Sequence, residues 1–150
     1  MSLDIEVDAL RKVPIFRGIE PAKLRLLAFI SERMSYEPGE NLCVQGEAGD
    51  AAYVIMGGVA DVVVKTPQGD RAVAEVKQND FVGEIAILCD VPRTATIVAR
   101  TELNVLSISK DNFLKMLHEF PEMGLEVMRV LAQRLEKTTR DLAEVRSRLA

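Results

Sequence analysis

The sequence predicts an α+β fold, in which a roll of short β-strands lies between N-terminal helices and a long C-terminal helix. Three observations predict it. Apolar residues recur at helical spacing before residue 37, and they do so again after residue 108. Between those limits they form short runs separated by PGE, QGEAGD, GG, TPQGD and KQND, each a set of turn-forming residues. The 150 residues, 48% of them apolar, suffice for one domain with a proper core and would be cramped for two. The expected organisation is a single domain over 1–150, with helices in 1–36, the β-roll in 37–108 and helices in 109–150.

Each element has a local cause. Val7 to Tyr36 reads as two helical pieces broken by VPIFRG. Pro21, suited to the first turn of a helix, restarts the second piece, where Leu24, Leu27, Ala28 and Ser31 share one face. In the roll, runs such as AAYVIM and VADVVV alternate only loosely, as strands do when both faces meet protein. Ser109 is placed to cap a helix that carries Phe113, Met116, Leu117 and Phe120 together, and Pro121 starts another. Along that last helix Met128, Leu131, Leu135, Thr138, Leu142, Val145 and Leu149 follow alternating steps of three and four. This heptad seam, 128–149, runs for about 33 Å. Its early part, Leu125 to Leu131, is expected to pack on the roll. Beyond Leu135 charged residues flank the stripe, and Asp141 and Arg146 stand where they pair between parallel helices, so the seam predicts a homodimer.

Charge and composition narrow the function. A net charge of −4 and no local basic patch argue against nucleic acid as a partner within this chain. No apolar stretch approaches bilayer length and the first residues are acidic, so a cytoplasmic location without a membrane segment is expected. Cys43 and Cys89 lie far apart with no further ligands nearby, which predicts reduced, buried thiols rather than a disulfide or a zinc site. His118, the one histidine, has neither a nucleophile to activate nor a second metal ligand, and reads as structural. Met123 and Met128 read as packing. With no metal cluster, no nucleophile beside a base and no paired carboxylates, no catalytic residue is assigned and an enzyme is not expected.

The run Phe81 to Thr96, FVGEIAILCDVPRTAT, carries the chemistry. Gly83 lets backbone approach a ligand, and Glu84 to Leu88 reads as one short helix whose first N–H groups, including that of Ile85, face an anion. Arg93 supplies a guanidinium that forks onto two phosphate oxygens, while Glu84 accepts hydrogen bonds from a sugar hydroxyl. Alone, a helix-N-terminal glutamate and an arginine after Pro92 are ordinary surface features; their joint spacing is the signal.

The run resembles the phosphate-binding cassette of cyclic nucleotide-binding domains, as in protein kinase A regulatory subunits, certain ion channels and bacterial catabolite activator proteins. Gly83, Glu84, Ala86, Pro92, Arg93, Ala95 and Thr96 meet the cassette without a register shift. VPIFRG and PGENLCVQGEAGDAAYVIMGG are similar to other parts of the family, so the resemblance spans nearly the whole chain. It implies a jelly-roll-like β-barrel and a non-enzymatic receptor for cyclic AMP, with cyclic GMP as the alternative, and no further cofactor. Thr94 leaves the base undecided: in the family a hydroxyl here accompanies both nucleotides, and a threonine bonding only neighbouring backbone is equally consistent. LAQRLEKTTRD is similar to the ligand-facing helix of catabolite activator proteins. That likeness implies adenine contacts from Thr138 and Thr139 and a reach from Arg134 toward the phosphate or Glu84. Thr138 has a second reading, as a polar residue that fixes the register of a dimer. A module of the same fold that binds no nucleotide is a further alternative. In activator-like regulators a helix-turn-helix domain follows the long helix; here the chain stops at Ala150, as a fragment or as a sensor that acts through a separate effector.

Overall fold

A computed structural model describes residues 3–149, so the first two residues and the last of the expected 1–150 domain lie outside the described residues. The chain opens with α1 (Asp4–Arg11), a 3-10 turn (Pro14–Phe16) and α2 (Pro21–Ile30), and Pro21 occupies the first turn of α2 as its fixed φ favours. Leu24, Leu27 and Ala28 are buried on the expected face, and Ser31 Oγ donates to Leu27 O at 2.6 Å.

The helical expectation for 1–36 stops short. Residues Glu32–Tyr36 form a strand, β1, that pairs antiparallel with Leu103–Ser109. The roll continues with β2 (Asn41–Cys43), β3 (Ala51–Gly57), β4 (Ala60–Thr66), β5 (Gly69–Val76), β6 (Phe81–Val82), β7 (Thr96–Ala99) and β8 (Leu103–Ser109), with α3 (Glu84–Leu88) between β6 and β7. Two antiparallel four-stranded sheets result, ordered β1-β8-β3-β6 and β2-β7-β4-β5. The fold class read from the sequence is thus the observed one.

Strand β3 shows why its run alternates so weakly. Ala51, Tyr53 and Ile55 face the interior of the roll with Leu42, Ala60, Ile97 and Val105, while Ala52 and Val54 face a second cluster built with the helices. Side chains two apart share a face, so a strand covered on both sides reads as a continuous apolar run. In the second cluster Phe81 meets Phe16 at 5.6 Å and Phe113 at 5.5 Å between ring centroids. The start of the cassette is thereby packed on both the N-terminal turn and α4 (Lys110–Glu119). Ser109 caps α4, its hydroxyl accepting from Asn112 N at 3.1 Å.

After Phe120 the helix α5 (Pro121–Leu149) runs for 29 residues, about 44 Å. Its buried face is Met123 and Val127, with Val130 and Leu131 partly buried beside them. Leu125 and Met128 are 52% and 62% exposed, which corrects the expectation that Leu125 to Leu131 as a block, and Met128, pack inward. The thiols differ from expectation too: Cys43 is half-buried and Cys89 exposed, both free. His118 is exposed on α4.

Candidate functional site

Local backbone rules build the cassette. Gly83 joins β6 to α3 at φ 90°, in the left-handed region. A Cβ there would stand 2.8 Å from Arg93 Nη1 and 3.1 Å from Ala51 O. Gly49 is required for space instead, since a Cβ would fall 2.4 Å from the Ala86 Cβ. Asp90, at φ 52°, ends α3. The following loop is tied to the β2–β3 loop in both directions: Arg93 N donates to Glu47 O at 2.8 Å, and Gly46 N to Arg93 O at 2.9 Å. Thr96 Oγ1 accepts from Gln45 N at 2.9 Å. Arg93 is thus fixed at its backbone before its side chain does anything.

Among the described residues the buried charged side chains are Glu84, 4% exposed, and Arg93, 5% exposed. Burying a charge is costly unless it is paired or hydrogen-bonded, so both need partners. Arg93 donates through Nη1 to Gly83 O at 3.0 Å and through Nη2 to Ala51 O at 2.6 Å, with Asp50 Oδ1 farther off at 3.8 Å. Glu84 accepts from Arg134 Nη1, and Arg134 Nη2 also reaches Phe81 O at 3.4 Å. Arg134 lies on α5 and is half exposed. The long helix therefore touches the cassette at its one buried carboxylate.

These groups line one cavity of about 350 Å³. Of the residues singled out in the sequence, Gly83, Glu84, Ile85, Ala86, Arg93, Thr94, Ala95 and Arg134 are brought together on its walls. Thr138 and Thr139 are not: both are exposed farther along α5, and Thr139 Oγ1 donates back to Leu135 O at 2.8 Å. The sequence reading missed the apolar wall of Val62, Val76 and Ile97, and the carboxylates Glu75 and Asp80. Inner-face alternation marks the first three as candidates, but only strand register decides which of them face the ligand space. Cys43 also lines the cavity; its Sγ lies 3.8 Å from Ala95 O, and burial pushes its thiol pKa up, against a smaller lowering by Arg93. Among the described residues no His/Cys/Asp/Glu group is placed to hold a metal.

Chemically, the cavity offers a buried cation and a buried acceptor beside an apolar wall, with Glu75, Asp80, Thr94 and Arg134 as further polar lining. A guanidinium has five N–H donors, and two are spent on carbonyl oxygens, so donors remain for an anion. The arrangement fits a compact ligand with one anionic end, hydroxyls beside it and a flat apolar body.

Comparison with known proteins agrees. A model of the cyclic nucleotide-binding domain matches residues 33–120, more than half of the chain. The chain is 40% identical over 108 residues to a cAMP-dependent protein kinase regulatory subunit of Yarrowia lipolytica, covering 72% of this chain and 28% of that protein. It is 28% identical over 139 residues to a CRP-like cAMP-activated global transcriptional regulator of Mycobacterium tuberculosis, covering 92% of this chain and 62% of that protein. This chain therefore spans less than two-thirds of the length of either relative. In fold it is similar to the Thermus thermophilus catabolite activator protein, with TM-score 0.81, 24% identity, and coverage of 88% of this chain and 62% of that one. Among the described residues no helix is long and apolar enough to cross a membrane. From the matched model, the relatives and the cassette together, the chain belongs to the cyclic nucleotide-binding domain family.

Proposed function

We propose that this domain is a non-enzymatic receptor for cyclic AMP, acting in the cytoplasm, that signals through α5 as a homodimer. The observation that carries it is the pairing of buried Arg93 and buried Glu84 on one cavity, with α5 holding Glu84 through Arg134. Arg93 receives the cyclic phosphate and Glu84 the ribose hydroxyl, while the wall of Val62, Val76 and Ile97 takes the base. A sugar hydroxyl at Glu84 competes with Arg134 or recruits it toward the phosphate. Either way the ligand alters the contact that holds α5 in this placement, and a difference in interaction energy with another placement is what a shift of equilibrium requires. The names of the relatives, regulatory subunits and a cAMP-activated regulator, support cyclic AMP and a regulatory rather than catalytic role.

The cyclic GMP alternative draws on one specific observation. Thr94 lines the cavity and the adenine-reading candidates Thr138 and Thr139 do not. Isothermal calorimetry with both nucleotides, on protein unfolded and refolded to remove retained ligand, decides. Saturable heat with cyclic AMP at lower concentration than cyclic GMP is expected. The reverse order selects the alternative, and no heat with either leaves a module of this fold that binds no nucleotide. Recovery of cyclic AMP unchanged after incubation is expected of a receptor.

A further inference from the structure

Two hydrogen bonds fix where a guanidinium points, yet they leave it free to tip about the line joining the two acceptors. For Arg93 those acceptors are Gly83 O and Ala51 O. Tipping has somewhere to go, because Arg93 also lines a second, smaller cavity of about 120 Å³ together with Cys43, Asp50 and Tyr53. The Asp50 carboxylate, 90% exposed and 3.8 Å from Nη2, draws the cation that way. One group on that side fixes how far the tilt goes. Arg93 Cζ stands over the ring of Tyr53 at 5.6 Å from its centroid, within the range of a cation–π contact. Tyr53 is 7% exposed on the inner face of β3, and its register partners are Val82 of β6, one residue before Gly83, and Ser107 of β8. The ring is therefore set by the same strand pair that delivers the cassette.

We propose that Tyr53 is a positioning residue for the phosphate site, its ring face fixing the tilt of the Arg93 guanidinium where it borders both cavities. This rests on the cyclic-nucleotide reading and adds a residue that the cassette does not contain. Its partner chemistry is a planar cation on an aromatic face, so the phenolic hydroxyl is dispensable and the ring is not.

The test is calorimetry on the full chain with cyclic AMP and with its two phosphorothioate diastereomers, which place sulfur on one or the other exocyclic phosphate oxygen. Tyr53→Phe is expected to bind within about twofold of the unsubstituted protein, since the π face remains. Tyr53→Leu is expected to bind about five- to thirty-fold more weakly, with an altered preference between the diastereomers because the fork has turned. A ring that only fills the core would lower the melting temperature and leave that preference unchanged, which overturns the proposal. Should Tyr53→Leu not fold, phenylalanines of increasing ring fluorination at position 53 keep the shape and drain the ring face. Stepwise loss of affinity at constant melting temperature is expected, and a flat response overturns the proposal. No heat from the unsubstituted protein overturns the nucleotide reading and this inference with it. Tight binding there with an indifferent Tyr53 overturns this inference alone.

Discussion

On the proposed reading the Arg93 guanidinium serves two sets of acceptors at once, and only its shape permits it. Two N–H groups hold Gly83 O and Ala51 O, stitching the β6–α3 junction to β3, while the rest remain for a phosphate. A lysine ammonium is a point charge with three donors on a flexible stem and cannot span both sets. Arg93→Lys is therefore expected to weaken cyclic AMP by roughly tenfold or more and to cost about 1–3 kcal/mol of stability through the carbonyl left unpaired. Calorimetry and urea unfolding check the two halves, and unchanged affinity would remove Arg93 from the phosphate role. Glu84 and Arg93 were legible in the sequence because their chemistry sits in one short run with fixed spacing. Tyr53 was not: it is remote in sequence, and an aromatic within an apolar strand reads as core until register places a cation over it.

At the scale of elements, the question is what sets the direction of α5. One residue, Phe120, separates it from α4, and Lys23 of α2 grips both sides of that joint. Its Nζ lies 4.7 Å from the Phe120 ring centroid and 2.9 Å from Glu122 Oε1. The hydrogen bond from Lys23 holds the Glu122 carboxyl below its ordinary pKa of 4.5, and the same bond raises Lys23 above 10.5. A lowered carboxyl stabilises fully above its ordinary value and ceases to as pH falls through the folded one. A raised ammonium stabilises fully below its ordinary value and ceases to as pH rises through the folded one. Lys23→Met is thus expected to lower the melting temperature by a nearly constant amount between the two ordinary values, and the difference from the unsubstituted protein should narrow on acidification below the lower one. Calorimetric scans across pH check it; a difference that persists undiminished in acid would assign the loss to the Phe120 contact and packing, not the ion pair. Helices and turns were legible here, since Pro21, Ser109 and Pro121 mark starts whose geometry is local. Strand β1 was not, because over five residues, three exposed and two partly buried, a period of 2 and one of 3.6 cannot be told apart, and its pairing with β8 decides.

For the whole molecule, the exposed half of α5 sets the question of a partner. Leu135, Leu142, Val145 and Leu149 are 68%, 56%, 51% and 81% exposed, on a helix whose apolar packing ends at Leu131 and whose last described contact with the cassette is Arg134. Removing a leucine from water is worth about 1.5–3 kcal/mol, and this stripe keeps heptad spacing, so a second α5 is the partner that best fits it. Arg93 and Glu84, the groups proposed for the phosphate and the ribose, stand on one copy. On the proposed reading two roles that the sequence ran together come apart: affinity belongs to the roll, and discrimination between bases, if Thr138 and Thr139 provide it, belongs to the dimer. Leu142→Glu places a charge in the seam about one turn beyond those threonines, outside the cavity. It is expected to sediment as a monomer, to keep the melting temperature of the roll, and still to bind cyclic AMP. Its preference for cyclic AMP over cyclic GMP should fall toward unity. A monomer that discriminates as well as the dimer would assign base reading to Thr94 and the walls of the roll. A variant that remains dimeric would move the interface away from α5.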